Sequence, residues 1–227
     1  MFLKSLLDIP KSVLFNFYYL PFKDAIKFPF HVDYRTKIQN MGNRNSVILK
    51  DTNKKIRIGA KGSFALGGRT YWSISPLGKV VFEGSAMICK GTQVICGGGL
   101  TIGDGFYCNS DCIINCSTEI RFGENCLLGW KCTIIDGDGH SVIWKGNKQE
   151  KNARIIIGNH TWCASNVAIL KGSVIQDDTV IAFGGIVSRE HTEGNILIGG
   201  NNKLLKKEIS WIKFIYQSQN IVGIDSL

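Results

Sequence analysis

The sequence predicts an all-β solenoid with three short flat faces per coil, and three observations carry that prediction. Between Ile157 and Val187 apolar residues recur every six positions, at Ile157, Cys163, Ile169, Ile175, Ile181 and Val187. Four positions after each of the first five stands a small or β-branched residue: Thr161, Val167, Ser173, Thr179 and Gly185. Gly is plentiful at 26 residues and Pro scarce at 4, which suits many tight corners. A helix returns apolar residues every three or four positions and an ordinary strand every second, so a strict six fits neither. It fits a coil in which each face uses six residues, one aliphatic side chain points to the axis, and a small neighbour turns the corner.

Residues 1–55 read as a basic, aromatic cap segment. They contain the apolar run Val13 to Phe22, bordered by Lys11, Lys23 and Lys27 and interrupted by Pro21. A bilayer span needs about 20 apolar residues, so no transmembrane helix is predicted. The segment either packs on the open end of the solenoid or makes peripheral membrane contact through residues 11–30. Residues 1–61 hold 12 Lys+Arg against 4 Asp+Glu, a surplus of 8 within a net charge of +9. The basic surplus thus belongs to the N-terminal segment and not to the repeat, and no nucleic-acid partner is expected.

The solenoid itself is predicted over residues 56–200. Between Arg57 and Lys79 the register is open, with Gly67, Gly68 and Pro76 marking turns. From Phe82 it is clear: Phe82, Ile88 and Val94 form one coil, Ile102, Cys108 and Ile114 the next, and Phe122, Leu128 and Ile134 a third. These coils are 20 residues long where the later ones are 18, and the extra two fall at GGGLT and STEIR. The same corner therefore bulges in successive coils, and side chains 20 residues apart stand about 4.8 Å above one another.

After Ile134 the repeat breaks for an excursion over residues 136–154. It is a poor place for a core and a good one for a site. It holds Asp136, Asp138 and His140, followed by four basic residues and one acidic between Trp144 and Arg154. Residues 201–227 close the chain. Leu204, Leu205, Ile209, Ile212 and Tyr216 among helix formers predict a short amphipathic C-terminal helix over Lys203 to Tyr216.

Eight cysteines without a recognisable secretory signal point to a reducing, cytoplasmic setting, and the basic, aromatic N-terminal segment adds the inner face of the membrane as a location within it. No CxxC pair occurs, so no metal is expected. Cys112, Cys126, Cys132 and Cys163 fall at repeat positions that want a small apolar side chain.

IRFGENCLLGWKCTIIDGDGH, followed by IIIGNHTWCASNVAILKGSVIQDDTVIAFGGIVSRE, resembles the hexapeptide-repeat acyltransferases, over Phe82 to about Trp211. The closest branch in pattern is that of the sugar and capsular polysaccharide O-acetyltransferases, some of which share the Asp-x-Asp-x-His ending at Asp136, Asp138 and His140. The resemblance implies a left-handed parallel β-helix, a homotrimer with a site between neighbours, acetyl-CoA as acyl donor and a carbohydrate acceptor. A sugar hydroxyl needs a base to take its proton as it attacks a thioester. Imidazole suits this, because a reference pKa of about 6.5 leaves much of it neutral at cellular pH. The resemblance makes His140 the catalytic base and puts Asn109, Asp138 and Trp162 on the substrate side. It puts Ser165 by the thioester, and Ser188 and Arg189 by the pantetheine arm and its phosphates.

Each assignment has a plainer counterpart. Asn109 is equally a corner asparagine that satisfies its own turn, Trp162 a packing residue, and Arg189 a solvated charge. Lys203, Lys206, Lys207 and Lys213 would meet coenzyme A phosphates or simply water. Three departures stand out: Phe183 and Gln176 where the family has small residues or Gly, and Asn201–Asn202 where it has Pro and a small residue. The expected activity is O-acetylation of a surface polysaccharide or its precursor. N-acetylation of an amino sugar nucleotide and a non-catalytic β-helix binding module are the alternatives. A γ-class carbonic anhydrase would need three converging histidines, and His31, His140, His160 and His191 do not supply that pattern.

Overall fold

Side chains twenty residues apart stack as the spacing predicts. Phe82, Ile102 and Phe122 stand in register on adjacent parallel strands, and Ile157 and Ile175 continue the column. A second column runs through Ile88, Cys108, Leu128, Cys163 and Ile181, and a third through Val94, Ile114, Ile134, Ile169 and Val187. The computed structural model describes residues 2–62 and 68–213, with the backbone alone for residues 2–5. Almost every column residue is fully buried, each worth about 1.5–3 kcal/mol of transfer free energy.

Three sheets result, of nine, seven and six strands among the described residues, here termed faces 1, 2 and 3, all parallel but for the last strand of face 1. The chain visits them in turn, strands pairing with those one coil before and one coil after, in a parallel β-helix. Corner residues adopt left-handed backbone conformations, mostly at Asn, Asp and Gly: Asp111, Asn125, Asn166, Asp178 and Asn195 all have positive φ.

The solenoid begins earlier than residue 56. Phe30–Val32, Lys37–Met41 and Val47–Leu49 are the first strands of faces 1, 2 and 3, so residues 30–49 are a coil and not part of the cap. The cap is α1 (Phe2–Tyr19), followed by the short α2 (Phe22–Ala25). The buried Asn16 amide accepts from Phe30 N at 3.1 Å and donates to Phe30 O at 2.9 Å. Ser12 Oγ accepts from Val32 N, and Asp8 accepts from Tyr34 N. A side-chain ladder thus replaces the strand that the open edge of face 1 lacks. Phe15 and Tyr19 fill the mouth of the coil against Phe30 and Trp72.

The predicted C-terminal helix is absent where the chain is described. Lys203–Lys206 is a strand, antiparallel to Leu197–Gly199, and Phe214 to Leu227 lie outside the described residues. The last strand of face 1 offers unpaired backbone groups, and pairing them outweighs the helical spacing of Leu204 and Leu205. Positive φ at Gly200 and Asn202 turns the hairpin. From Glu208 the chain descends the edge between faces 3 and 1. Ile209 N donates to Asn195 O, Trp211 Nε1 to His160 O, and Lys213 Nζ to Asn125 O and Gly105 O. Lys213 is therefore structural, and burial lowers its pKa.

All eight cysteines are buried free thiols, as their positions predict. Burial pushes Cys126 up to about 11, so it is inert as a nucleophile.

On the edge between faces 3 and 1, Asp104 accepts from Ser85 N at 2.6 Å and Ser85 Oγ at 2.8 Å, and pairs with Lys54 at 3.1 Å. Burial pulls its carboxyl up, but the Ser85 bonds and the Lys54 charge outweigh that and hold it at about 2, below the ordinary 3.8. A carboxyl lowered on folding stabilises the fold above its ordinary value, and the contribution is lost as pH falls through the folded one. The stability deficit of Asp104→Asn is expected in full at neutral pH and should shrink toward zero between about pH 4 and 2. Urea midpoints across that range measure it; a constant deficit would contradict the assignment.

Candidate functional site

The bulged corner between faces 2 and 3 shows why the repeat fails where it does. Ser117, Thr118 and Glu119 turn three successive N–H groups toward the next coil, where the buried Asp136 carboxylate accepts all three at 2.6, 2.7 and 2.8 Å. Gly98, one coil below, has no room for a side chain, since a Cβ there would lie 2.2 Å from Thr118 O. Asp136 thus closes the bulge, and the chain leaves the coil directly after it.

The excursion that follows is a small antiparallel hairpin, Ile143–Trp144 with Asn147–Lys148, turned by Lys145 and Gly146 at positive φ. Gly137 bridges to Asn152 at its base. Asp138 pairs with Lys171 at 2.6 Å, on the corner one coil further on. His140 is exposed and makes no hydrogen bond to the described residues, so its ring is free to meet a reactant. Ser188 and Arg189 stand on the same edge two coils beyond the loop. Asn202 holds both: its Oδ1 accepts from Ser188 N, its Nδ2 donates to Ser188 Oγ, and its carbonyl accepts from Arg189.

The other candidates occupy the edge between faces 1 and 2. Asn109, Gly129, Ala164 and Ala182 stack there by backbone bonding, each residue's N–H reaching the strand above. One position on, Trp130, Ser165 and Phe183 form the adjoining column. Ser165 Oγ accepts from Trp130 N at 3.3 Å. Asn109 does not cap its own turn: its Oδ1 is buried and has no hydrogen-bond partner among the described residues. A buried acceptor left unpaired costs about 1–3 kcal/mol and calls for an explanation. Trp162 projects outward from face 1, 36% exposed, against Trp211 at 5.8 Å. Trp211 in turn stacks on His160 at 4.1 Å, and His160 Nδ1 lies 2.7 Å from Asp178 Oδ1.

The predicted residues therefore fall into two groups. His140, Asp138, Ser188 and Arg189 share one edge; Asn109, Ser165 and Trp162 share another edge and the face leading to it. Face 2 separates them by the length of one strand, about 15 Å for four or five residues. Within one chain the two groups do not meet. Face 2 carries Ile95, Ile113, Ile135, Leu170 and Ile186 on its outer side among Gln93, Asn115 and Thr133, with Leu170 and Ile186 exposed. Sequence spacing missed Lys171 and Asn202 as organisers of this edge. Lys171 was detectable, since it stands in the Asp136 corner one coil later. Among the described residues no group of three His, Cys, Asp or Glu could hold a metal ion.

No protein-family model matches the chain. It is similar to the polysialic acid O-acetyltransferase of Escherichia coli O1:K1, at 28% identity over 133 residues, 58% of this chain and 42% of that protein. The galactoside O-acetyltransferase of Escherichia coli K12 is 32% identical over 96 residues, 41% of this chain and 47% of that protein. Among solved structures, the polysialic-acid-specific acetyltransferase NeuO matches with a TM-score of 0.48 at 19% identity, covering 82% of this chain and 92% of that one. The chain spans about half the length of the curated relatives it matches. These relatives are acetyltransferases, which bears out the resemblance read from the sequence.

Proposed function

We propose that the protein is an acetyl-CoA-dependent O-acetyltransferase acting on a hydroxyl of a surface polysaccharide or its precursor, as a homotrimer, with His140 as general base. The named activities of its relatives, polysialic acid and galactoside O-acetylation, support the reaction class. The observation that carries the site is the division of the candidate residues across face 2, whose outer side holds five exposed or half-buried aliphatic residues. Copies packed side by side through that face would set His140 of one chain against Asn109, Trp162 and Ser165 of the next.

His140 takes the proton from the acceptor hydroxyl while its oxygen attacks the thioester carbonyl carbon. The tetrahedral intermediate collapses by breaking the C–S bond. The thiolate leaves, takes up the proton that His140 holds, and departs as coenzyme A, and the acetyl group remains as an ester. Asp138, tied to Lys171, fixes the base of the His140 loop. Asn109 offers its unpaired amide oxygen to a hydroxyl hydrogen of the acceptor. Ser165 bonds the donor beside its thioester, and Trp162 forms a wall. Arg189 and Ser188, held by Asn202, receive the pantetheine arm and its phosphates. Among the described residues no helix is long and apolar enough to cross a membrane, and eight free thiols support a reducing, cytoplasmic setting.

The test is thiol release from acetyl-CoA with a panel of sugar and oligosaccharide acceptors. Turnover with hydroxyl-only acceptors supports the reading; no turnover with any acceptor would leave a binding module. Phe183, 71% exposed in the column above Ser165, narrows the donor path. Phe183→Ala is expected to raise kcat/KM for butyryl-CoA relative to acetyl-CoA by about tenfold, the worth of a methylene or two in an apolar pocket. An unchanged ratio would take Phe183 out of the donor path.

A further inference from the structure

Helix α1 is apolar on the side it turns to water as well as at Phe15 and Tyr19 on the side it buries. Asp8, Ser12 and Asn16 point inward and hydrogen-bond the first strand of face 1 and the residues after it, beside the buried Phe15 and Tyr19. Its outward arc is apolar: Leu6, Leu7, Ile9, Val13, Leu14 and Phe17 are 38–55% exposed. Phe22, 72% exposed beside α2, and Ile26, 57% exposed just after it, extend the arc. Surface helices normally turn a charged face to water, and a contiguous apolar patch marks an interaction site.

Charge and position identify the occupant. No residue of the outward arc is acidic, and residues 1–61 carry a basic surplus of 8. Lys23 and Arg44 are exposed at this end of the solenoid and form no ion pair among the described residues. The surface lies over the first coil, at the end of the stack, whereas side-by-side assembly would use face 2. Two copies meeting through these ends would bring two basic surpluses together, which disfavours self-association there.

We infer that α1 and α2 form a membrane-contact surface that lies on an anionic leaflet. The apolar arc enters the boundary between headgroups and acyl chains, and the basic residues around it meet the headgroups. The same helix caps the solenoid with one side and binds lipid with the other, so the cap and membrane readings of this segment are not alternatives. The inference does not depend on the proposed acetyl transfer.

Co-sedimentation with vesicles of phosphatidylcholine and phosphatidylglycerol, three parts to one, tests it against vesicles of phosphatidylcholine alone. The full chain is expected to partition about tenfold more strongly into the anionic vesicles. The triple variant Leu7→Gln, Leu14→Gln, Phe22→Gln changes only exposed side chains; it should keep its melting temperature and lose about tenfold in partition. If that variant melts early, Lys23→Glu with Arg44→Glu keeps the test: it should lose the preference for anionic vesicles. Wild type that stays in the supernatant with both vesicles, or variants that pellet like wild type, would overturn the inference. A change in the triple variant's lipid-free sedimentation mass would assign the face to a second copy instead.

Discussion

His140→Ala is expected to lower acetyl transfer about 10²- to 10⁴-fold, the usual worth of a positioned general base. The loss should fall on kcat and kcat/KM together, since the base acts only as the proton moves, and KM for acetyl-CoA should hold. Stability should change by no more than about 0.5 kcal/mol, because the ring is exposed and bonds to none of the described residues. Steady-state kinetics beside a thermal melt separate the two effects. Equal turnover in both proteins would remove His140 from the mechanism, and a collapsed melt would make its role structural.

Asn16→Ala is expected to cost about 3 kcal/mol or more. The side chain is fully buried and bonds to both backbone groups of Phe30, besides donating to Ser12 O at 2.7 Å. Without it the Phe30 N–H and C=O are left buried and unpaired, at about 1–3 kcal/mol each. In a solenoid each coil contacts only its neighbours, so the loss should appear as fraying of the first coil. Hydrogen exchange should show faster exchange at Phe30 and Val32 than at Ile114 or Ile134. By contrast Phe17→Ala, on the outward side of the same helix, should leave the urea midpoint nearly unchanged. A midpoint shift below about 1 kcal/mol for Asn16→Ala would reject the capping role.

How far the fold was legible depends on what the strict period could see. The columns through Phe82, Ile102 and Phe122 were readable because one inward side chain per face is the only demand on the sequence there. The first coil was not. Its corners differ in length, a bulge falls between Ile38 and Asn40, and the aromatic residues around it serve the cap as much as the axis. At the other end, Leu204 and Leu205 fit a helix or a strand equally well. The open edge left by Leu197–Gly199 decided between them, and no local pattern contains that edge.

The candidate site was legible in part for the same reason. His140 stands out as a candidate because the repeat fails at Asp136, and a corner that three N–H groups require to be acidic explains the failure. That Asn109 and His140 would lie on opposite sides of face 2 depends on which corner each coil closes through. The spacing of chemically suited residues does not carry that information. Asn202 looked like a departure from a family pattern and instead holds Ser188 and Arg189 in place.

The two ends of face 1 share one property. A parallel ladder of this kind is a template, since any exposed terminal strand can accept a further strand from another molecule. Here the first strand is met by side chains of α1, and the last by a strand running the opposite way. Neither end presents the parallel backbone pattern that a following coil would need, so along face 1 these molecules cannot add head to tail into a fibre.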